Sequence, residues 1–280
     1  MGVSRKLNFL ITGVSSGFGH AFADAALQAG HSVIGTVRSQ DAKREFENIA
    51  PGGAKAIVLD VTDFSSIDGA IASAVEGVGP IDVLVNNAGY GHEGALEESS
   101  LDEMRRQFDV NVFGAVAMIK AVLPSMRARR SGHIINITSM GGFITMPGIA
   151  YYCGSKFALE GISETLAKEV ADFGIKVTAV APGSFRTDWA GRSMVRSPRS
   201  IPDYDAVIDP IRSARQDKSG RQLGDPAKAA QVLLDIACAP DAPVHLLLGS
   251  DAVKLVREKM AKIGADIDAW EKVSVSTDFQ

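Results

Sequence analysis

Two cysteines, Cys153 and Cys238, are too few and too far apart to staple a fold or cage a metal, so this chain must hold itself together with an apolar core. The five histidines are scattered, without a His-x-x-x-His or Cys-x-x-Cys pattern, and no metal site is expected. Charge of one sign is scarce too: a net charge of −4 leaves no basic stripe for nucleic acid. The densest basic run, Arg127 to Arg130, falls where a helix should end and complements its dipole. No uninterrupted apolar run approaches the roughly 18 residues of a membrane span. Met1 leads directly into an apolar strand, with no charged-then-apolar leader, so the expected setting is reducing and cytoplasmic, without a membrane. Internal repeats and low-complexity linkers are missing as well.

What the chain does have is apolar substance in alternating short and long periods. With 280 residues, 46% apolar and 22% charged, it has the composition of a soluble globular protein able to bury a sizeable core. Leu7 to Thr12 is a short apolar run that ends in Gly13-Val14-Ser15-Ser16-Gly17-Phe18-Gly19, and Ala21 to Ala29 then reads as a helix stopped by Gly30. A strand, a glycine loop and a helix let the backbone approach a pyrophosphate while amides at the helix start point at the anion. A purely structural glycine turn has the same pattern. The spacing is Gly-x-x-x-Gly-x-Gly, not the Gly-x-Gly-x-x-Gly of the common dinucleotide fingerprint.

A second strand, Ser32 to Val37, ends in Arg38. A carboxylate at that place takes the ribose hydroxyls, whereas an arginine suits a 2′-phosphate, so NADP is expected over NAD, with Asp41 nearby as the complication. Strands over Ala56 to Leu59 and Ile81 to Val85 run into Asp60-Val61 and Asn86-Asn87-Ala88-Gly89, with helices over Ala42 to Ile49 and Ser66 to Val78. Asp60 is placed to accept from an adenine amine or to cap the next helix. A long helical pattern from Leu101 to Arg129 carries Asn111 in apolar company, where a buried amide needs a partner.

Strand His133 to Thr138 leads to Ser139, and a helix over Tyr151 to Phe173 follows. Strand Lys176 to Val180 ends in Ala181-Pro182-Gly183, and Trp189 to Leu223 is the least periodic part of the chain. Residues 184–224 are therefore expected to form a substrate-binding lid. A helix to Ala237, a strand over Val244 to Leu248, a helix over Ala252 to Ile263 and a polar tail with Trp270 complete the pattern. The expected fold is one doubly wound α/β domain of Rossmann type, with a parallel sheet of about seven strands. Ligands in such sheets bind beyond the carboxyl ends of the strands, where Gly13, Arg38, Asp60, Asn87, Ser139 and Pro182 should meet.

The stretch from Ser139 to Lys156 carries the chemistry. Tyr152 and Lys156 are four apart on a helix and share a face. Two unit charges about 4 Å apart at an effective dielectric near 20 attract by roughly 4 kcal/mol, about three pK units. A phenol of ordinary pKa about 10 would then titrate near neutrality, where proton transfer is most useful. Apolar Phe143, Met146 and Ile149, with His92 and the lid, are the expected substrate contacts, favouring a hydrophobic ketone, aldehyde or alcohol.

Taken together, Thr12-Gly13-x-x-x-Gly17-x-Gly19, Asp60, Asn86-Asn87-Ala88-Gly89, Asn111, Ser139, Tyr152-x-x-x-Lys156 and Pro182-Gly183 resemble the short-chain dehydrogenase/reductase family over roughly Leu7 to Leu248. The C-terminal half looks more like its hydroxysteroid- and retinol-dehydrogenase members than its fatty-acid-synthesis reductases. The resemblance implies that Tyr152 is the general acid/base, that Ser139 polarises the substrate oxygen and that Asn111 anchors a water in the proton relay. Lys156 would hold the nicotinamide ribose and lower the tyrosine pKa. Pro182, Gly183 and Thr187 would flank the nicotinamide, and Val61, Asn87, Ala88 and Gly89 the adenosine half, beside the loop residues Gly13, Ser15, Ser16, Gly17, Phe18 and Gly19.

Two departures stand out. The basic residue that NADP-preferring members often carry before the second loop glycine is Ser16 here, and the Asp-Gly-Gly that follows the last strand in many tetramers is Gly249-Ser250-Asp251. The expected protein is an oxidoreductase that moves a hydride between NADP(H) and a carbonyl or secondary alcohol, as a homodimer or homotetramer. A pairing through the Asn111 and Tyr152 helices is the one the resemblance offers. The alternatives are an NADP-sensing regulator without turnover and a redox-neutral epimerase or dehydratase.

Overall fold

Seven short aliphatic runs line up side by side as β1 (Asn8–Ile11), β2 (Ser32–Val37), β3 (Ala54–Val58), β4 (Val83–Asn86), β6 (Gly132–Ile137), β7 (Ile175–Pro182) and β9 (His245–Leu248). The structure, a computed structural model, describes residues 5–191 and 193–279. All seven strands are parallel, in the order β3-β2-β1-β4-β6-β7-β9. The central strands are buried on both faces, which is why they read as continuous apolar runs without alternation. Two further strands, β5 (Gly91–Glu93) and β8 (Met194–Arg196), pair in a small sheet of their own.

Helices cover both faces. On one side α1 (Gly17–Gln28), α2 (Gln40–Glu47) and α8 (Pro226–Cys238) bury Phe22, Phe46 and Leu233 against Phe9, Val33 and Val180. On the other, α3 (Ile67–Val75), α5 (Ala115–Arg129) and α6 (Ala150–Val170) bury Ile71, Met118 and Leu166 against Leu10, Leu84 and Ile134. Side chains such as Leu84 and Ile134 are fully enclosed, and truncating either to alanine is expected to cost about 2–5 kcal/mol.

The chain crosses from β1 outward to β2 and β3, then returns to place β4 on the other side of β1. Neighbouring loops therefore leave the sheet in opposite directions above β1 and β4, and the crevice between them is where ligands bind in such folds.

The helical rod between β5 and β6 starts as α4 (Leu101–Phe108), closed by a capping box of Ser100 and Glu103, and joins α5 through a π-turn over Asp109–Gly114. Residues 101–129 contain an eighteen-residue window of mean hydropathy 1.4, long and apolar enough by composition to cross a bilayer, which no uninterrupted run in the sequence suggests. Here that apolar side packs on the sheet through Met118, Ile119, Val122 and Met126.

Two segments differ from expectation. The aperiodic stretch contains β8 and a thirteen-residue helix, α7 (Asp205–Asp217). The last helix, α9 (Ser250–Val275), runs twelve residues beyond Ile263, through the stretch that reads as a polar tail.

Candidate active site

The strand ends supply the floor of one long cleft of about 1480 Å³. That exceeds the roughly 300–1,000 Å³ of a pocket for one small ligand. Gly13, Ser15, Ser16, Gly17 and Phe18 follow β1; Arg38 follows β2; Asp60 and Val61 follow β3; Asn87, Ala88 and Gly89 follow β4; Ser139 follows β6; Pro182, Gly183 and Thr187 end or follow β7. Tyr152 and Lys156 complete the lining from α6. Every sequence-predicted site residue faces this cleft except Gly19 and Asn111, which shape it from behind.

The glycine loop is held by backbone and short polar side chains. Gly13 adopts a left-handed φ of 73°. A Cβ on Gly19 would overlap the Gly13 carbonyl oxygen and the Asn87 amide, so only glycine lets α1 start this close to β1. Asn87 Nδ2 donates to the carbonyls of Thr12 (2.9 Å) and Gly13 (3.2 Å), and Thr12 Oγ1 accepts from the amides of Asn87 and Ala88, both at 2.9 Å. Asn87 therefore clamps the loop as well as lining it. The exposed start of α1 leaves unpaired amides at a helix N-terminus, the arrangement that receives phosphate oxygens.

Arg38 stands at the far end of this half. Asp41, the nearby acid, is engaged by Arg44, and no ion pair to Arg38 is found among the described residues. Asp60 turns one carboxylate oxygen back onto the amide (2.9 Å) and hydroxyl (2.8 Å) of Thr62, which fixes the turn after β3. Capping of α3 does not need it, because Asp63 holds Ser65 and Ser66 instead. A clamped glycine loop and a helix N-terminus along one cleft fit a dinucleotide.

At the other end Tyr152 and Lys156 are both only 6% exposed. The Tyr152 ring lies 5.0 Å from that of Trp189, and its phenol faces Ser139. Ser139 Oγ accepts from the Gly141 amide at 3.0 Å, which fixes the hydroxyl at the end of β6. Lys156 Nζ donates to the Ile137 carbonyl at 2.8 Å and stands 5.8 Å from the centre of the Tyr152 ring.

The electrostatics correct the expectation from spacing. Burial raises the Tyr152 pKa above that of a free phenol, with the polar groups of Ser139 and Trp189 pulling the other way, and Lys156 is not among the groups that shift it. Burial also weakens the ammonium itself, lowering Lys156 to about 8 against the opposing charge of Glu160. In this dry pocket desolvation outweighs the attraction that exposed charges at that spacing would feel.

Glu160 was not singled out from the sequence, where a glutamate four residues after a lysine reads as an ordinary helix pair. It is buried beneath Lys156, and burial raises its pKa. One carboxyl oxygen meets His245 Nδ1 at 2.8 Å and the other meets the Thr138 hydroxyl, which also points at the Val180 carbonyl at 2.9 Å. Thr138 has one hydroxyl proton to share between these two acceptors. His245 reaches the surface, so a line of polar side chains runs from Lys156 past Glu160 to solvent.

Asn111 lies in the π-turn and is fully buried. Its Oδ1 accepts from the Tyr90 amide (3.2 Å), and its Nδ2 donates to the Tyr90 carbonyl (3.2 Å) and Ser155 Oγ (3.1 Å). The side chain ties the rod to α6 and to the loop after β4. Its hydrogen bonds reach neither Tyr152 nor Lys156.

Of the expected substrate contacts, His92 and Met146 line the cleft. Phe143 turns edge-on to His245 and Ile149 packs beneath Tyr152 and Cys153, so both belong to the support and not to the pocket. The remainder of the substrate side comes from residues 184–224, including Trp189, Val195, Ile211, Arg215 and Leu223. These are held down by a fully buried carboxylate: Glu93 meets Arg212 at 3.0 Å, Arg215 at 3.2 Å and Arg196 at 3.4 Å.

Known proteins share this architecture. The short chain dehydrogenase family profile matches residues 8–195. Oxidoreductase BOA17 of Botryotinia fuckeliana is 38% identical over 270 residues, covering 96% of this chain and 98% of that protein. A 3-ketodihydrosphingosine reductase of Bacteroides thetaiotaomicron is 40% identical over 242 residues, 86% and 87% of the two chains. The crystal structure of a short-chain dehydrogenase from Streptomyces avermitilis superimposes with a TM-score of 0.91 at 42% identity, over 98% of this chain and all of that one.

Proposed function

From the premise that the chain belongs to the short-chain dehydrogenase/reductase family, we propose that it reduces a carbonyl on a largely apolar substrate with NADPH as its preferred coenzyme. The coarser statement holds on family membership: this is an NAD(P)-dependent oxidoreductase acting on CH–OH or C=O groups. The observation that carries the finer one is the buried Tyr152, kept protonated at the junction between the clamped glycine loop and the substrate side.

The bound nicotinamide supplies the hydride. Ser139 and Tyr152 converge on the place where a carbonyl oxygen would sit, and as that oxygen gains electron density Tyr152 gives it the phenolic proton. The carbonyl carbon gains the hydride, the oxygen gains the proton, and an alcohol leaves. Tyr152 is then recharged from solvent, with Lys156 as the neighbouring cation. A protonated phenol is ready for reduction, whereas oxidation needs the phenolate that burial disfavours.

Arg38 supports NADPH, since among the described residues its guanidinium has no carboxylate to neutralise it. Met140, Met146, Val195, Ile211 and Leu223 support an apolar substrate chain. By its name, the Bacteroides relative acts on a ketone of such a chain. Two unpaired cysteines, Cys153 and Cys238, support a reducing, cytoplasmic setting. Exposed Phe113 and Phe157, on the rod and on α6, support a homodimer formed through those two helices.

The test is a panel of long-chain and compact ketones and aldehydes offered with NADPH and NADH side by side, for the wild type and Tyr152→Phe. The variant is expected to lose about 10²–10⁴-fold in turnover while NADPH affinity stays within about twofold. Tight NADPH binding with no oxidation across the panel would favour a sensor, and a converted substrate with no net change in coenzyme would favour an epimerase or dehydratase.

A further inference from the structure

The last helix leaves the body of the protein after its first two turns. Ala252 and Val256 are buried, and from Met260 onward every described residue of α9 except Gly264 is exposed. This free length is not polar all round. Met260 (47% exposed), Ile263 (38%), Ile267 (62%) and Trp270 (64%) recur at alternating spacings of three and four, continuing the line of Val253 and Val256. A seam with that 3.5-residue period is what one helix presents to another, whereas a helix lying on a sheet shows a wider apolar face.

Gly264 is an independent sign. Glycine in mid-helix is unfavourable relative to alanine. A Cβ at this position would meet nothing within 4 Å, so no neighbour among the described residues demands its absence. It flanks the seam halfway between Met260 and Ile267, where a second helix would approach most closely.

We infer that the exposed half of α9 pairs antiparallel with the same helix of a second copy, about a two-fold axis level with residue 265, through a surface separate from the α5 and α6 faces. In that register all four exposed seam residues are matched among themselves: Met260 faces the partner's Trp270, and Ile263 faces the partner's Ile267. Charge selects the direction. Arg257 and Glu271 have no ion-pair partner among the described residues, and antiparallel pairing sets them opposite each other at both ends, against one meeting of Asp266 with its own copy. Parallel pairing would place Asp266 beside the partner's Glu271 twice and leave Arg257 unmatched. A membrane surface fits less well, because residues 257–275 carry four basic and four acidic side chains, where a surface-lying helix is rich in lysine and arginine.

The experiment is the mass of the full-length protein by sedimentation velocity and light scattering across a dilution series. The double variant Ile267→Asp/Trp270→Asp should halve the mass of the wild-type assembly, with helix content and turnover retained. Arg257→Glu and Glu271→Arg should each weaken association at least about tenfold, and the two together should restore it. An unchanged mass for the apolar double variant overturns the proposal, as does a monomeric wild type. Failure of the charge-swapped pair to recover overturns the antiparallel register. Co-sedimentation of the wild type with phosphatidylcholine/phosphatidylglycerol vesicles, lost in the apolar variant without a change in mass, would assign the seam to lipid instead. The outcome is independent of catalysis, and Phe113→Glu with Phe157→Glu tests the other pairing separately.

Discussion

The two halves of the cleft are held by different kinds of force. The coenzyme half is built from strand ends, backbone hydrogen bonds and the Asn87–Thr12 clamp, and no ion pair among the described residues holds it together. The substrate half is built from β8 and α7, which return to the body through guanidinium groups gathered on Glu93 and Glu98. Backbone geometry is short-ranged and the same whatever the substrate. Ion pairs on a returning segment let its lining change without disturbing the sheet. Tyr152 stands where the two halves meet, so catalysis needs both while each can fail alone.

The sharpest way to separate them is to remove the charge that anchors β8 and α7. Glu93→Gln leaves three guanidinium groups around a buried amide, and losing one partner of a buried pair costs about 3–5 kcal/mol. Substrate KM should rise steeply, hydrogen exchange should quicken over residues 194–217, and NADPH affinity should hold. If NADPH affinity fell in parallel with KM, the halves would not be independent.

Arg38→Ala probes the opposite half. Hydrogen bonds to charged groups are worth about 1.5–3 kcal/mol, so the preference for NADPH over NADH should fall by about ten- to a hundredfold. Substrate KM should not move with saturating NADH. An unchanged coenzyme ratio would remove Arg38 from the account.

The smallest effect concerns the boundary. Lys156 is lowered to about 8, so across the interval from there up to an ordinary lysine near 10.4 the unfolded chain binds the extra proton. Stability should accordingly rise with pH through that interval, while kcat/KM should fall as the ammonium is lost above about 8. Glu160 raises the lysine, so Glu160→Gln should move the falling limb to lower pH by less than about one unit. The Glu160 carboxyl itself faces His245 from β9 and Thr138 from the end of β6. A limb that ignores Glu160→Gln would detach Glu160 from the site.

The same contrast explains what the sequence made legible. Gly13, Arg38, Asp60, Asn87, Ser139 and Pro182 could be placed together because each follows an apolar run, and parallel strands bring their carboxyl ends to one edge. The helix inside residues 184–224 could not be read, because α7 carries Pro210 and its Arg212 and Arg215 find their partner, Glu93, over a hundred positions earlier in the chain. Phe143 and Ile149 looked like pocket residues by proximity, but nothing in their spacing says which way they turn. The distal part of α9 read as polar because its seam is narrow. The acidity of Tyr152 was misjudged for a related reason: spacing gives the neighbour, and only the folded pocket gives the desolvation.

The central claim is that burial holds Tyr152 protonated in the free enzyme. An ultraviolet difference titration of wild type against Tyr152→Phe tests it directly by the phenolate absorbance. The account predicts no phenolate signal assignable to Tyr152 below the ordinary tyrosine value of about 10; a wild-type phenolate that appears near neutrality and is missing in Tyr152→Phe would contradict it.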